Sequence, residues 1–246
     1  MTTTSTVPDL ATAPEPRGPR TPGRTLITGG ASGLGAAIAD AVAAAGGRPI
    51  VLDLAESRGG HESHAVDVSS TRELERIVDE VAQAHGGLDS VVTAAGIDRP
   101  GPLDGVDAAE WERVIAVNLL GTAATVRAAL PHLVATRGRV VTVASTLALR
   151  GAGDATAYAA SKFGVRGFTQ ALAAETAGRV GVTGLIPGGM RTPFFDGRDE
   201  QYRPGPDASL NDPADVAATV VFALSQPPGC EVRELLVCSS GETSWP

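Results

Sequence analysis

"TGGASGLG", residues 28–35, separates a short β-branched run, "RTLIT" (24–28), from a stretch of small and apolar residues that ends in glycines, "GLGAAIADAVAAAGG" (33–47). The first run reads as a strand and the second as a helix with a glycine stop. Any tight strand-to-helix turn can call for a glycine, so the turn alone is weak. Its placement sharpens it. Glycines there let the backbone approach a pyrophosphate, and the helix start offers free N–H groups and a positive dipole end. The G-x-G-x-x-G dinucleotide pattern is not literally present. Gly29, Gly33 and Gly35 follow T-G-x-x-x-G-x-G instead.

Outward from that turn the alternation continues. "PIVLDL" (49–54) reads as a second strand and "SHAVDV" (63–68) as a short third. "STRELERIVDEVAQAHGG" (70–87) has a Ser/Thr start, Glu73 in its first turn, an apolar stripe and a glycine stop, so it is a helix. "LDSVVTAAG" (88–96) is the fourth strand, a helical region covers about 107–136, and "GRVVTVAS" (138–145) is the fifth strand. A helix near 155–177, a strand at "VGVTGLIPG" (180–188), a helix at "DPADVAATVVFALSQ" (212–226) and a last strand at "EVRELLVCS" (231–239) complete the order. Strands alternating with helices predict an α/β, doubly wound, Rossmann-like fold with a mostly parallel seven-stranded sheet covered on both faces. One domain, 24–246, is expected, with no internal repeat. Residues 1–23, rich in Thr and Pro and without an apolar core, read as a disordered tail rather than a secretory signal.

Composition narrows the function. With 28 acidic against 20 basic residues and a formal charge of −8, the chain is a poor match for nucleic acid. No run of 18 apolar residues is present, so no membrane span is expected. Cys230 and Cys238 match neither a disulfide framework nor a metal site, and a reducing, cytoplasmic setting fits them. His61, His64, His85 and His132 show no catalytic or metal spacing and read as surface or loop residues. Asp53 ends the second strand, 18 residues beyond Gly35, where an acid can accept hydrogen bonds from adenosine ribose hydroxyls. A carboxylate there repels a 2′-phosphate, so NAD is favoured, while Arg58 nearby keeps NADP open. A solvated strand-end Asp is the bland alternative.

"YAASK" (158–162) sets a tyrosine four residues before a lysine, one helical turn apart. With "TGGASGLG", Asp67–Val68, "AAG" (94–96), Asn118, Ser145 thirteen residues before Tyr158, and "PGGMRT" (187–192), the chain resembles the short-chain dehydrogenase/reductase family over roughly 24–238. The resemblance implies a nicotinamide-dependent oxidoreductase acting on a small secondary alcohol or its ketone. It makes Tyr158 the general acid/base and has Ser145 orient the substrate oxygen. Work at neutral pH requires the phenol pKa to fall by roughly 3 units. Lys162 favours the phenolate, the oxidised nicotinamide adds a second positive charge, and Lys162 also holds the nicotinamide ribose. Asn118 bends its helix and supports a proton-relaying water; a satisfied core amide is the alternative. Cofactor contacts fall on Gly29, Ser32, Gly33, Leu34, Asp53, Asp67, Val68, Ala95, Gly96, Tyr158, Lys162, Pro187, Gly188, Met190 and Thr192.

Two positions depart from the family pattern. The usual N-N-A-G reads "TAAG" (93–96), with Ala94 in place of an asparagine that braces the central strands, and the last strand lacks a V-D-G-G ending. Residues 193–211, polar and broken by Pro and Gly, read as a lid in which Phe194, Phe195 and Tyr202 either touch substrate or pack the lid down. Small residues on the helix carrying Tyr158 leave an apolar outer face, and the resemblance implies a homodimer or homotetramer. An NADPH-dependent ketoreductase, a non-catalytic nucleotide sensor and a sugar-nucleotide epimerase are the rival readings. The intact set of Asn118, Ser145, Tyr158 and Lys162 argues against the sensor, and chain length and the turn pattern against the epimerase.

Overall fold

A computed structural model describes residues 18–242. Seven strands form one sheet in the order β3-β2-β1-β4-β5-β6-β7, every neighbouring pair parallel. They are β1 (Arg24–Thr28), β2 (Arg48–Asp53), β3 (Glu62–Ala65), β4 (Ser90–Thr93), β5 (Arg139–Val143), β6 (Gly181–Pro187) and β7 (Glu234–Val237). The strand order reverses between β1 and β4, which opens a crevice at the carboxyl edge, the place where such sheets take ligands.

The strands read as near-continuous apolar runs because both faces are covered. Alternate residues feed opposite layers. Leu26, Val91 and Val140 meet helices α2 (Thr71–Ala84), α4 (Gly121–Thr136) and α5 (Thr156–Glu175) through Leu74, Val78, Leu133 and Leu172. Ile27, Val92 and Val141 meet α1 (Gly33–Ala44) and α6 (Pro213–Leu224) through Ile38, Val42, Val216 and Val220. Each fully buried Val, Leu or Ile stabilises the fold by about 1.5–3 kcal/mol.

Helix α3 (Ala108–Ile115) starts on Asp107, whose carboxylate accepts from the Ala109 and Glu110 amides at 2.9 and 3.4 Å. A widened π turn over Ala116–Leu120 joins it to α4 without a break. The combined helix, Ala108–Thr136, is long and apolar enough to cross a membrane by length and composition, but more than half of its apolar stretch is buried in the body. Its apolarity is that of a core helix.

The expected strands and helices are all present; β1 has the expected ends, β2 and β3 begin one residue early, and other ends are trimmed by up to three residues. The expected tail ends earlier than residue 23. Residues 1–17 lie outside the described residues, but the Arg20 amide donates to Ser225 O at 3.0 Å and Pro22 O accepts from the Ser90 hydroxyl at 2.9 Å. The packed body therefore starts before residue 24, because Pro22 and Gly23 offer carbonyls that β1, β2 and β4 need at their starts. His85 also departs from expectation: its side chain is 9% exposed and pairs with Glu62 at 2.8 Å.

Candidate active site

The glycine turn is built on contacts that only glycine permits. A Cβ on Gly35 would lie 2.0 Å from Gly29 O, and one on Gly29, whose φ is +71°, would lie 2.6 Å from the Ala95 backbone. These close approaches fold the turn over the start of α1. Ser32 stands at the N-cap with no side-chain hydrogen bond, so the first amides of α1 keep free N–H groups facing the crevice. Asp53 closes the turn from the side: Oδ2 accepts from the Ala31 amide at 3.0 Å and Oδ1 from the Ala55 amide at 3.2 Å. Gly33, at φ +52°, brings the turn against the far wall, since a Cβ there would meet the Thr192 side chain at 3.3 Å. That wall is Pro187 to Thr192. It is tied down by Gly188 N–H to Val237 O (2.9 Å), Gly189 N–H to Glu242 Oε2 (3.1 Å) and a bridge between Met190 and Asn211. A cleft with free helix-start amides, a ribose-distance acid and a glycine floor suits a dinucleotide.

Among the other residues expected to touch the cofactor, Ala95 and Gly96 line the floor. A Cβ on Gly96 would meet Asn118 Oδ1 and Lys162 Nζ, both at 3.5 Å. Leu34 and Val68 are buried. Asp67 is turned toward the protein: it accepts from the Ser69 hydroxyl at 2.7 Å and pairs with Arg113 at 3.3 Å, and the Ser69 bond is the main cause of its lowered pKa. Ala94 lacks the amide that would brace the central strands, and main chain takes up part of that work. Ala94 N–H donates to Thr28 O at 3.1 Å and Ala95 N–H to Thr28 Oγ1 at 3.3 Å, while Thr93 Oγ1 stays buried without a partner.

The four expected catalytic residues converge. Ser145 follows β5 and caps a short 3₁₀ turn, its Oγ accepting from the Leu147 amide at 3.1 Å. Ser145 is close enough to the Tyr158 phenol to hold its pKa down against burial. Lys162 is 4% exposed, donates to Val143 O at 2.8 Å, and has its Nζ 5.6 Å from the Tyr158 ring centroid. Asn118 sits in the π turn and is fully buried. Its amide donates to Ile97 O (2.9 Å) and Ser161 Oγ (3.0 Å), and its Oδ1 accepts from Ile97 N–H (2.8 Å). The side chain is thus a satisfied core amide that staples the loop after β4 to α5, and it does sit where the helix is locally distorted.

In the chain by itself the electrostatics run against a lowered phenol. Burial pushes the Tyr158 phenol up to about 12; the Ser145 hydrogen bond opposes that rise, Asp98 adds to it and Arg198 opposes it. Burial pushes Lys162 down to about 8, with Asp98 opposing. Desolvation therefore outweighs the lysine in this chain by itself, and lowering the phenol requires a further positive charge in the cleft.

Sequence reasoning missed Asp98 and Arg198. Their side chains are 6% and 12% exposed and form an ion pair at 3.1 Å across the mouth of the site. Arg198 also lies 4.7 Å from the ring centroids of both Phe194 and Phe195, and Phe194 packs 5.7 Å from Tyr158. Partly exposed Tyr202 bonds Asp154 at 3.1 Å instead. Of the three lid aromatics, Phe194 is the one against the catalytic tyrosine.

A family model described as short chain dehydrogenase matches residues 24–203. L-Fucose dehydrogenase of Mus musculus is 32% identical, the match covering 89% of this chain and 88% of that one. Cis-4-hydroxycyclohexanecarboxylate dehydrogenase of Sinomonas cyclohexanicum is 32% identical over 89% and 96%. Among solved structures, an alcohol dehydrogenase from Thermococcus sibiricus complexed with 5-hydroxy-NADP superposes with a TM-score of 0.80 at 26% identity, covering 90% of this chain and 98% of that one.

Proposed function

The chain belongs to the short-chain dehydrogenase family and is an oxidoreductase of the alcohol/ketone type; from that premise we propose that it prefers NAD, acts on a small secondary alcohol or its ketone, and uses Tyr158 as general acid/base. The observation that carries the proposal is the convergence of Ser145, Tyr158 and buried Lys162 at the carboxyl edge of the sheet, with Lys162 Nζ 5.6 Å from the Tyr158 ring centroid and bonded to Val143 O. The bound nicotinamide supplies hydride exchange and a positive charge in its oxidised form. The amides at the start of α1 and residues Gly29, Gly33 and Asp53 hold its adenosine and pyrophosphate portion; Pro187, Gly188, Met190 and Thr192 form the wall beside the ring.

In the oxidising direction the substrate carbon loses a hydride while its hydroxyl proton passes to the Tyr158 oxygen. Ser145 donates a hydrogen bond to the same substrate oxygen and holds it at the phenol. With a pKa of about 8, Lys162 is poised to pass the proton onward near neutral pH.

Asp53 supports NAD because its carboxylate faces the turn and would repel a 2′-phosphate. Exposed Leu120 and Phe163 on one side, and Phe222 and Leu236 on another, support assembly into a homotetramer through two faces, in a reducing cytoplasm where Cys230 and Cys238 stay as thiols. The test is a panel of secondary alcohols and ketones with NAD(H) and NADP(H), read by absorbance of the reduced nicotinamide. Turnover with NAD at least ten-fold more efficient than with NADP is expected. Turnover with neither cofactor overturns the proposal, and a preference for NADPH overturns the reading of Asp53. Light scattering at micromolar concentration tests the assembly.

A further inference from the structure

Arg198 presents an unused recognition edge beside the catalytic tyrosine. Its guanidinium is almost enclosed, 12% exposed, and is held flat by Phe194 and Phe195 at 4.7 Å each. Both Nε and Nη2 are buried with no hydrogen-bond acceptor. These two nitrogens form the side-on edge of a guanidinium, whose parallel N–H bonds match the two oxygens of one carboxylate. Asp98 does not fill that edge. Its Oδ2 comes within 3.1 Å of Nη2 but out of hydrogen-bonding alignment, so the pair is held by charge alone, and its Oδ1 accepts from the Arg99 amide at 2.8 Å. Two buried donors without acceptors are costly to leave so, whereas one ligand carboxylate would satisfy both.

The edge is near the catalytic tyrosine, and with both nitrogens closed to solvent a ligand reaches it only when the lid segment shifts. Phe194 touches both partners, its ring centroid 4.7 Å from the Arg198 guanidinium and 5.7 Å from the Tyr158 ring. The charges of Arg198 and the Tyr158 phenol act on each other, so the guanidinium is within electrostatic reach of the reacting oxygen. Asp98 anchors Arg198 from the loop after β4, and the aromatic pair fixes its plane, so the fork is oriented before any ligand arrives.

We propose that Arg198 is a specificity-determining residue that grips a substrate carboxylate through Nε and Nη2, making the preferred substrate of the oxidoreductase reaction a small hydroxy acid or keto acid. The inference rests on the proposed function and adds the substrate class. Asp98 is then a positioning residue: it keeps the guanidinium in place between substrates and is not itself the intended partner of the fork.

Calorimetric titration of the NAD-loaded protein with cyclohexanecarboxylate and with cyclohexanecarboxamide tests this without requiring turnover. The acid is expected to bind at least ten-fold more tightly than the amide. Arg198→Met should bring the two within two-fold of each other, Arg198→Lys should restore part of the difference, and Asp98→Asn should reduce it without abolishing it. NADH fluorescence on each variant verifies that the body is folded. Equal binding of acid and amide to the wild type, including no binding of either, overturns the inference. So does a difference that survives Arg198→Met or vanishes in Asp98→Asn. The two readings fail separately: turnover of neutral alcohols with no preference for acids leaves the oxidoreductase standing and removes only the carboxylate.

Discussion

Asp53 and Asp98 both follow strands that end at the ligand-binding edge of the sheet, and they are held in opposite ways. Asp53, partly exposed, takes backbone amides of the glycine turn and of its own loop, at 3.0 and 3.2 Å. Asp98, with a side chain 6% exposed, faces a guanidinium delivered by the lid a hundred residues later. Burial raises its pKa, and the Arg198 charge works against the rise. The cofactor side of the crevice is thus made of main chain, whose geometry leaves little room for choice. The substrate side is made of charged side chains packed against aromatics, in a desolvated setting where each charge depends on a partner. The first can be kept while the second changes.

The largest test falls where the two sides meet. Tyr158→Phe removes the one proton both need, and a turnover loss of about 10²–10⁴-fold is expected, with NADH binding unchanged within two-fold. Activity within a few-fold of wild type would detach the chemistry from this tyrosine. Ultraviolet titration sharpens the point, because the chain has two tyrosines. With burial pushing Tyr158 up to about 12, no tyrosinate from it should form below pH 10 without cofactor. Saturation with NAD should bring its titration to lower pH.

Gly35→Ala probes the main-chain side. Its Cβ would stand 2.0 Å from Gly29 O, a backbone atom that can move only if the turn opens. Overpacking of this kind costs about 1–3 kcal/mol, and dinucleotide affinity should fall with it. A variant that melts like wild type and binds NADH equally would show that the turn is more pliable than its contacts imply.

These two sites also mark what the sequence could disclose. The glycine turn, the strand order and Tyr158 with Lys162 were legible because each is a local pattern: a turn between two periodicities, or two side chains one helical turn apart. Asp98 and Arg198 were not. One sits in a loop and the other in a segment broken by Pro and Gly, and no spacing links them across the fold. The upward pull of burial on Tyr158 in the cofactor-free chain was illegible for a related reason. Helical spacing puts Lys162 near the phenol, but it cannot tell that both would be buried or that the lysine would spend a donor on Val143 O. Asn118 was visible as a polar residue on an apolar face, yet its partners, Ile97 and Ser161, come from two other segments.

Asp53→Ala tests whether the main-chain side sets cofactor choice. The variant loses the ribose acceptor and the 2′-phosphate repulsion together, and the preference for NAD over NADP should shrink by about 1–3 kcal/mol, the range for hydrogen bonds to a charged group. Because the same carboxylate holds the Ala31 amide, some NAD affinity should be lost even where NADP gains none. An unchanged ratio of kcat/KM for the two cofactors would move the choice to other residues, Arg58 first.

The smallest effect is on stability, and its sign separates the two sides. Lys162 is depressed by burial from 10.5 to about 8, so its charge is a burden on the cofactor-free fold. A displacement of that size corresponds to about 3 kcal/mol. Between pH 8 and 10.5 the unfolded chain binds the extra proton, so stability contributed by this group rises with pH across that window, and the full penalty is present below 8. Lys162→Met removes the burden but leaves Val143 O without its donor, a loss of about 1–2 kcal/mol. The net gain of about 1–2 kcal/mol at pH 7 should raise the cofactor-free melting temperature by about 2–8 °C. Near pH 10.5 the burden is gone from wild type as well, so the advantage should disappear or reverse while turnover remains abolished. A variant that melts lower than wild type at pH 7 would mean that contacts to Val143 and Asp98 outweigh the desolvation of the lysine. The substrate side would then be as settled as the glycine turn opposite it.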